Sequence, residues 1–174
     1  MEYTFTLKYQ LSSEDNDRDA IVERLGAAGC DDALIGIGQP ARIALEFTRE
    51  AENAEAAVLS ALADVKRIIP SAQLIEAAPD LVGLTDVADI VGVSRQNMRK
   101  LMIGNPGSFP LPVHEGSSAI WHLADVLSWL QATLSYELDQ GLLSVAMTTM
   151  QVNLAREGRR LTPQLRREVR ALVA

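Results

Sequence analysis

Residues 84–101 read LTDVADIVGVSRQNMRKL. A helical pattern stops at Gly92 and restarts at Ser94, and so tight a break restricts what the surrounding chain can become. Thr85 is the expected N-cap of the first helix, and Val87, Ala88 and Val91 give it an apolar stripe. Gly92 supplies the turn, Val93 fits in the angle between the helices, and Ser94 caps the second helix.

Directions on the second helix follow from a step of about 100° per residue. Met98, Leu101 and Met102 fall on one side. Gln96 and Lys100 fall opposite, with Asn97 and Arg99 on the flanks. Such a face suits a major groove, because amides bond adenine while cations bond guanine or phosphate. The plainer alternative is an amphipathic helix with a solvated face. The turn and the side-chain chemistry agree, which favours DNA contact.

Residues 104–112 cannot be helical, since Pro106, Pro110 and Pro112 lie within them. Residues 113–115 and 119–121 flank Gly116, Ser117 and Ser118 as a hairpin would. Asp125, Val126, Trp129 and Leu130 restart a helical pattern. Helix, turn, helix, hairpin and helix together describe a winged helix-turn-helix over residues 81–130. Three groups of residues carry a further likeness: Thr85, Ala88, Gly92, Val93 and Ser94; Phe109, Pro110 and Pro112; Trp121, Asp125, Val126, Trp129 and Leu130. In this spacing the segment resembles the AlpA- and excisionase-like branch of the MerR superfamily. That resemblance covers residues 81–130 of the 174. It implies double-stranded DNA as the partner, in transcription regulation or as a recombination directionality factor. The expected DNA contacts are Ser94, Arg95, Gln96, Asn97, Arg99 and Lys100, with His114 and Ser117 on the hairpin. The tip of such hairpins is often basic, whereas Glu115 stands here.

A formal net charge of −7 is unusual for a DNA-binding protein, but it is unevenly spread. Residues 1–80 carry seven Lys/Arg against fifteen Asp/Glu, residues 81–130 three against four, and residues 131–174 six against four. The acid therefore lies away from the expected reading helix, and local patches matter more than the total. Modest, strongly salt-dependent affinity is expected.

Upstream, Tyr3, Phe5, Leu7 and Tyr9 alternate with polar residues as in a half-buried strand. Asp15 or Asp17 caps a helix with Ile21, Val22 and Leu25 inward, ending at Gly29. Residues 34–37 and 42–47 form two strands around a turn at residues 38–41. Asn53 opens an Ala-rich helix running to Ile69, with Val58, Leu62, Val65 and Ile69 inward, and Pro70 ends it. Residues 72–76 form a last strand. The βαββαβ order predicts a ferredoxin-like sandwich over residues 1–77, for dimerisation or for an effector or protein partner, with a linker at residues 77–80. RNA-recognition domains share that order, but Tyr3, Phe5 and Tyr9 share a face with Leu7 and read as core rather than as base-stacking aromatics.

Residues 131–174 read as a helical extension with a basic tail. Leu127, Leu130, Leu134, Leu138, Leu142, Val145 and Val152 recur at helical spacings. They suit either a self-association seam or a helix packed back on its own chain. Thr162 and Pro163 begin a last helix with Arg166, Arg167 and Arg170 exposed.

Catalytic signals are sparse. Cys30 is the one cysteine, which excludes an internal disulfide and a cysteine metal cluster. His114 and His122 are too few for a zinc site without further ligands. No signal peptide or membrane span is expected, and a cytoplasmic setting is. The class expected is thus α+β: ferredoxin-like sandwich, winged helix-turn-helix, helical extension. The expected function is a sequence-specific DNA-binding regulator, a homodimer without cofactor and not an enzyme. The alternative from another class is a protein-interaction adaptor or inhibitor that keeps a helix-turn-helix fold.

Overall fold

The computed structural model describes residues 1–15, 17–36 and 39–173. The alternation at the start of the chain builds β1 (Glu2–Gln10), which buries Tyr3, Phe5, Leu7 and Tyr9 on one face. It is an inner strand of a four-stranded antiparallel sheet ordered β2 (Ala33–Gly36), β3 (Arg42–Glu50), β1, β4 (Gln73–Ala78). Pairing of β1 with β3 sets Phe5 opposite Phe47, and their rings stack at 5.4 Å. The aromatics of β1 are core, and the other sheet face carries Thr4, Lys8 and Thr48 in solvent.

A single 3-10 turn (Ser13–Asp15) precedes α1 (Arg18–Ala27), whose N-cap is Asp17: the Ala20 N–H donates to its carboxylate at 3.1 Å. Ile21 and Leu25 are buried, but Val22 is not; one residue past Ile21, the helix has already turned it to solvent. Asn53 caps α2 (Ala54–Ile68), which lays Ala57, Val58, Ala61 and Val65 on the sheet, with Leu62 at the margin. Of the expected turn between β2 and β3, Gly38 lies outside the described residues, as does Ile37 at the end of the expected strand. Arg49 ties sheet to helix: it donates to Asp32 at 2.6 and 3.1 Å and to Asp64 at 2.9 Å. Partial burial alone would raise the Asp64 carboxyl, but Arg67 and Arg49 hold it below the usual range.

A second apolar cluster gathers the middle of the chain. β5 (Leu81–Val82) pairs antiparallel with β6 (Trp121–His122). Around this ribbon lie α3 (Leu84–Val91), α4 (Arg95–Gly104) and α5 (Leu123–Leu134). Because β5 holds the chain extended to Val82, α3 starts at once: Gly83, not Thr85, is its N-cap, and the Asp86 carboxylate accepts the Gly83 N–H at 2.8 Å. Thr85 sits exposed in the first turn.

The leucine-spaced stretch is not one helix. Ser135 takes a left-handed conformation (φ 53°), and the chain stays irregular until Asp139 caps α6 (Gln140–Gly158). α6 then packs back on its own chain, against both clusters. Val145 and Val152 complete the sheet's core, while Leu143, Ala146 and Met150 join the second. Thr162 caps the exposed α7 (Pro163–Arg170) as expected. The class is mixed α+β, with seven α-helices among the described residues, none long and apolar enough to cross a membrane.

A buried polar knot fixes the junction of the two clusters. The Asn153 side chain donates to the Ala77 carbonyl (2.8 Å) and to Asp80 Oδ2 (2.7 Å), and accepts from the Ala77 N–H (2.9 Å). Its amide thus takes the place of a neighbouring strand at Ala77. Asp80, 1% exposed, also meets His122 Nδ1 at 2.6 Å, and its backbone carbonyl accepts from the Leu123 N–H. The Thr149 hydroxyl donates to the Pro79 carbonyl. The expected linker is therefore a packed, hydrogen-bonded segment.

Candidate nucleic-acid interface

Two short-range effects aim α4. Gly92 ends α3 in the left-handed region (φ 76°), which a side chain adopts at a cost and glycine does not. Ser94 then restarts the helix, its hydroxyl accepting the Asn97 N–H at 3.1 Å. Met98 is fully buried, Leu101, Met102 and Val93 are half-buried, and Arg95, Gln96, Asn97, Arg99 and Lys100 are exposed. The face deduced from a step of about 100° is the face observed.

The connector after α4 is pinned by aromatics. Phe109 meets Trp129 edge-on at 5.0 Å and Trp121 at 6.0 Å. Each indole then binds the loop: Trp121 Nε1 donates to the Pro110 carbonyl (3.1 Å), and Trp129 Nε1 to Ser108 Oγ (3.3 Å). Beyond the loop is a hairpin closed by one bridge, His114 opposite Ile120, with Val113 N–H to the Ile120 carbonyl at 2.7 Å.

Between α4, the connector and the hairpin runs an open groove of about 760 Å³. Of the eight expected contact residues it brings together Arg95, Arg99 and Ser117. Gln96, Asn97 and Lys100 stand elsewhere on the exposed surface of α4, and His114 is exposed on the hairpin outside the groove lining. Ser94 is occupied as a cap. Sequence reasoning missed Thr85 and Asp86, which the α3 start carries into the groove, and Ser118 beside Ser117. Only the extra strand β5 could have signalled that shift, and two residues have no periodicity to read.

Electrostatically the groove is mixed. Among the described residues, no carboxylate lies within ion-pair distance of Arg95, Arg99 or Lys100. Glu115 and Asp86 also line the groove, the latter engaged with the Gly83 N–H. Leu111, Ile103 and Val113 are exposed around it. Neither histidine joins a metal-like cluster: among the described residues no group of three potential ligands is brought together, and His122 turns inward to Asp80. Compared with protein-family models, characterised proteins and solved structures, the chain matches none.

Proposed function

We propose that the protein binds double-stranded DNA in a sequence-specific manner and regulates transcription. One observation carries the reading. A helix set by a glycine turn and a serine cap presents Arg95, Gln96, Asn97, Arg99 and Lys100 together in solvent, its three cations free of carboxylate partners among the described residues. In this reading residues 81–130 are a winged helix-turn-helix of the excisionase-like kind, α4 is the reading helix, and the hairpin at residues 113–121 is the wing. The N-terminal sheet, with its antiparallel order and two intervening helices, supports a ferredoxin-like sandwich. A cytoplasmic homodimer reading two half-sites completes the proposal.

Selection of bound fragments from random DNA with the purified chain tests it. An enriched motif is expected, with log K falling against log salt by about 0.9 per phosphate neutralised. The Arg95→Ala/Arg99→Ala/Lys100→Ala variant should lose most of that binding. Salt-insensitive binding, or equal binding by this variant, overturns the DNA reading. The adaptor alternative draws on Leu111, 87% exposed beside the acidic hairpin tip, and predicts no enriched motif at all.

A further inference from the structure

A second cleft, of about 620 Å³, shares no lining residue with the groove at α4, and the end of α6 forms one of its walls. Its other walls are the last turns of α2 and the start of β4. The N-terminal eighty residues are strongly acidic, with fifteen carboxylates against seven cations. Yet, among the described residues, those lining this cleft include Lys66, Arg156 and Arg159 and no carboxylate. Leu62 and Leu74 give it an apolar floor, and Tyr9 contributes an aromatic ring, with burial pushing its hydroxyl pKa up from the usual value.

The cations are incompletely used. Arg156 holds Glu157 through Nη2 at 2.6 Å, but its Nε is buried with no acceptor among the described residues. A buried donor left without a partner is costly, so a shift of the Arg156 side chain that brought Nε to an acceptor in the cleft would be stabilising. Among the described residues Arg159 makes no ion pair, while Glu157 is shared by Arg156 and Arg160. Among the described residues Lys66 Nζ reaches only the Pro70 carbonyl, at 3.1 Å. Ser71, on the cleft wall, donates to Asp15, which Arg24 also engages.

We infer that this cleft binds a small organic anion, a carboxylate or phosphate monoester with an apolar body, its charge held by Arg156, Arg159 and Lys66 and its body lying on the half-buried Leu62 and Leu74. The volume suits such a ligand, since small-molecule sites commonly measure about 300–1,000 Å³. Guanidinium forks match both head groups. The position gives binding a consequence: the arginines end the one helix that also carries Leu143, Ala146 and Met150 into the second cluster. Occupancy would bias the seating of α6 against both halves at once.

Titration of the full chain with phenyl phosphate and with benzoate, and with benzyl alcohol as a neutral control, tests the site. Calorimetry and backbone amide shifts are the readouts. Saturable millimolar or tighter binding is expected for at least one anion, not for the alcohol, with the shifts centred on the end of α2 and residues 72–74. The Arg156→Gln/Arg159→Gln variant should bind about tenfold or more weakly, the scale of a lost charge-assisted contact. Lys66→Gln, at an exposed position, should weaken binding less while leaving the melting temperature unchanged, so a folding defect in the double variant does not hide the result. Saturation by phenyl phosphate alone identifies a phosphate site, and by benzoate alone a carboxylate site. No saturable binding of either anion overturns the inference. So does equal weakening by Arg167→Gln/Arg170→Gln on α7, which would mark a general surface-charge effect. These readouts use no DNA, so their failure leaves the regulatory reading standing, and the converse holds.

Discussion

Gln96 and Asn153 show how far one amide reaches in two settings. On α4, Gln96 lies early in the helix and in solvent, where helix-turn-helix proteins meet base edges. A bidentate amide contact discriminates between bases by about 1–3 kcal/mol. Gln96→Ala should therefore flatten the selected motif at one or two positions and leave non-specific binding nearly intact. An unchanged motif would show that α4 lies in a different orientation on DNA. Asn153 is buried, and only one orientation of its amide satisfies two acceptors and one donor. Asn153→Ala orphans the Ala77 amide groups and should destabilise the fold by about 2–4 kcal/mol in a denaturant titration. Asn153→Asp keeps the shape but removes both N–H donors and sets a carboxylate against Asp80. It should be the more damaging of the two at neutral pH. If the Asp variant proves the more stable, the knot is not what holds the junction.

Among the elements, those built on local pattern were legible. The alternation of β1, the caps of α2 and α7 and the exposed face of α4 follow from neighbours within a few residues. What pairing across the chain decides was not legible. Leu81 and Val82 become a strand only because Trp121 and His122 lie beside them, and that pairing moved the cap of α3 from Thr85 to Gly83. The leucine spacing ran through Ser135, where a non-glycine residue turns left-handed and splits one expected helix into two. The knot joins Ala77, Asp80, His122 and Asn153, a set no sequence window contains. In the site, the face of α4 could be computed from the helix repeat, but which of its residues share the groove with the hairpin could not. At Gly92 the element scale makes a firm prediction. An added Cβ there meets nothing within 4 Å, so only the backbone conformation resists it. Gly92→Ala should cost about 1–2 kcal/mol, read as a lower melting temperature. A variant as stable as the parent would mean that α3 and α4 can be joined without the left-handed turn.

At the scale of the whole molecule, α6 uses its buried face within the chain, with Val145 in one cluster and Leu143 and Ala146 in the other. The sheet's outer face is polar, with Lys8 bonded to Glu76 and the Thr4 and Thr48 hydroxyls in contact. One apolar exception on that face is Leu34, 72% exposed on the edge strand β2 and opposite Glu46, where the strand's outer backbone is also open to pairing. The intact chain is expected to be a dimer by light scattering at micromolar concentration, and Leu34→Arg a monomer with the same melting temperature. A monomeric parent removes the two-half-site reading; a dimeric Leu34→Arg variant moves the interface elsewhere. The shared helix also bears on descent. A segment spanning residues 81–130, transplanted by recombination, would leave behind Leu143, Ala146 and Met150 and arrive with its core uncovered. Residues 81–130 and the sheet can therefore be inherited or exchanged only together with α6, so drift in one half must be answered by compensating change in the other.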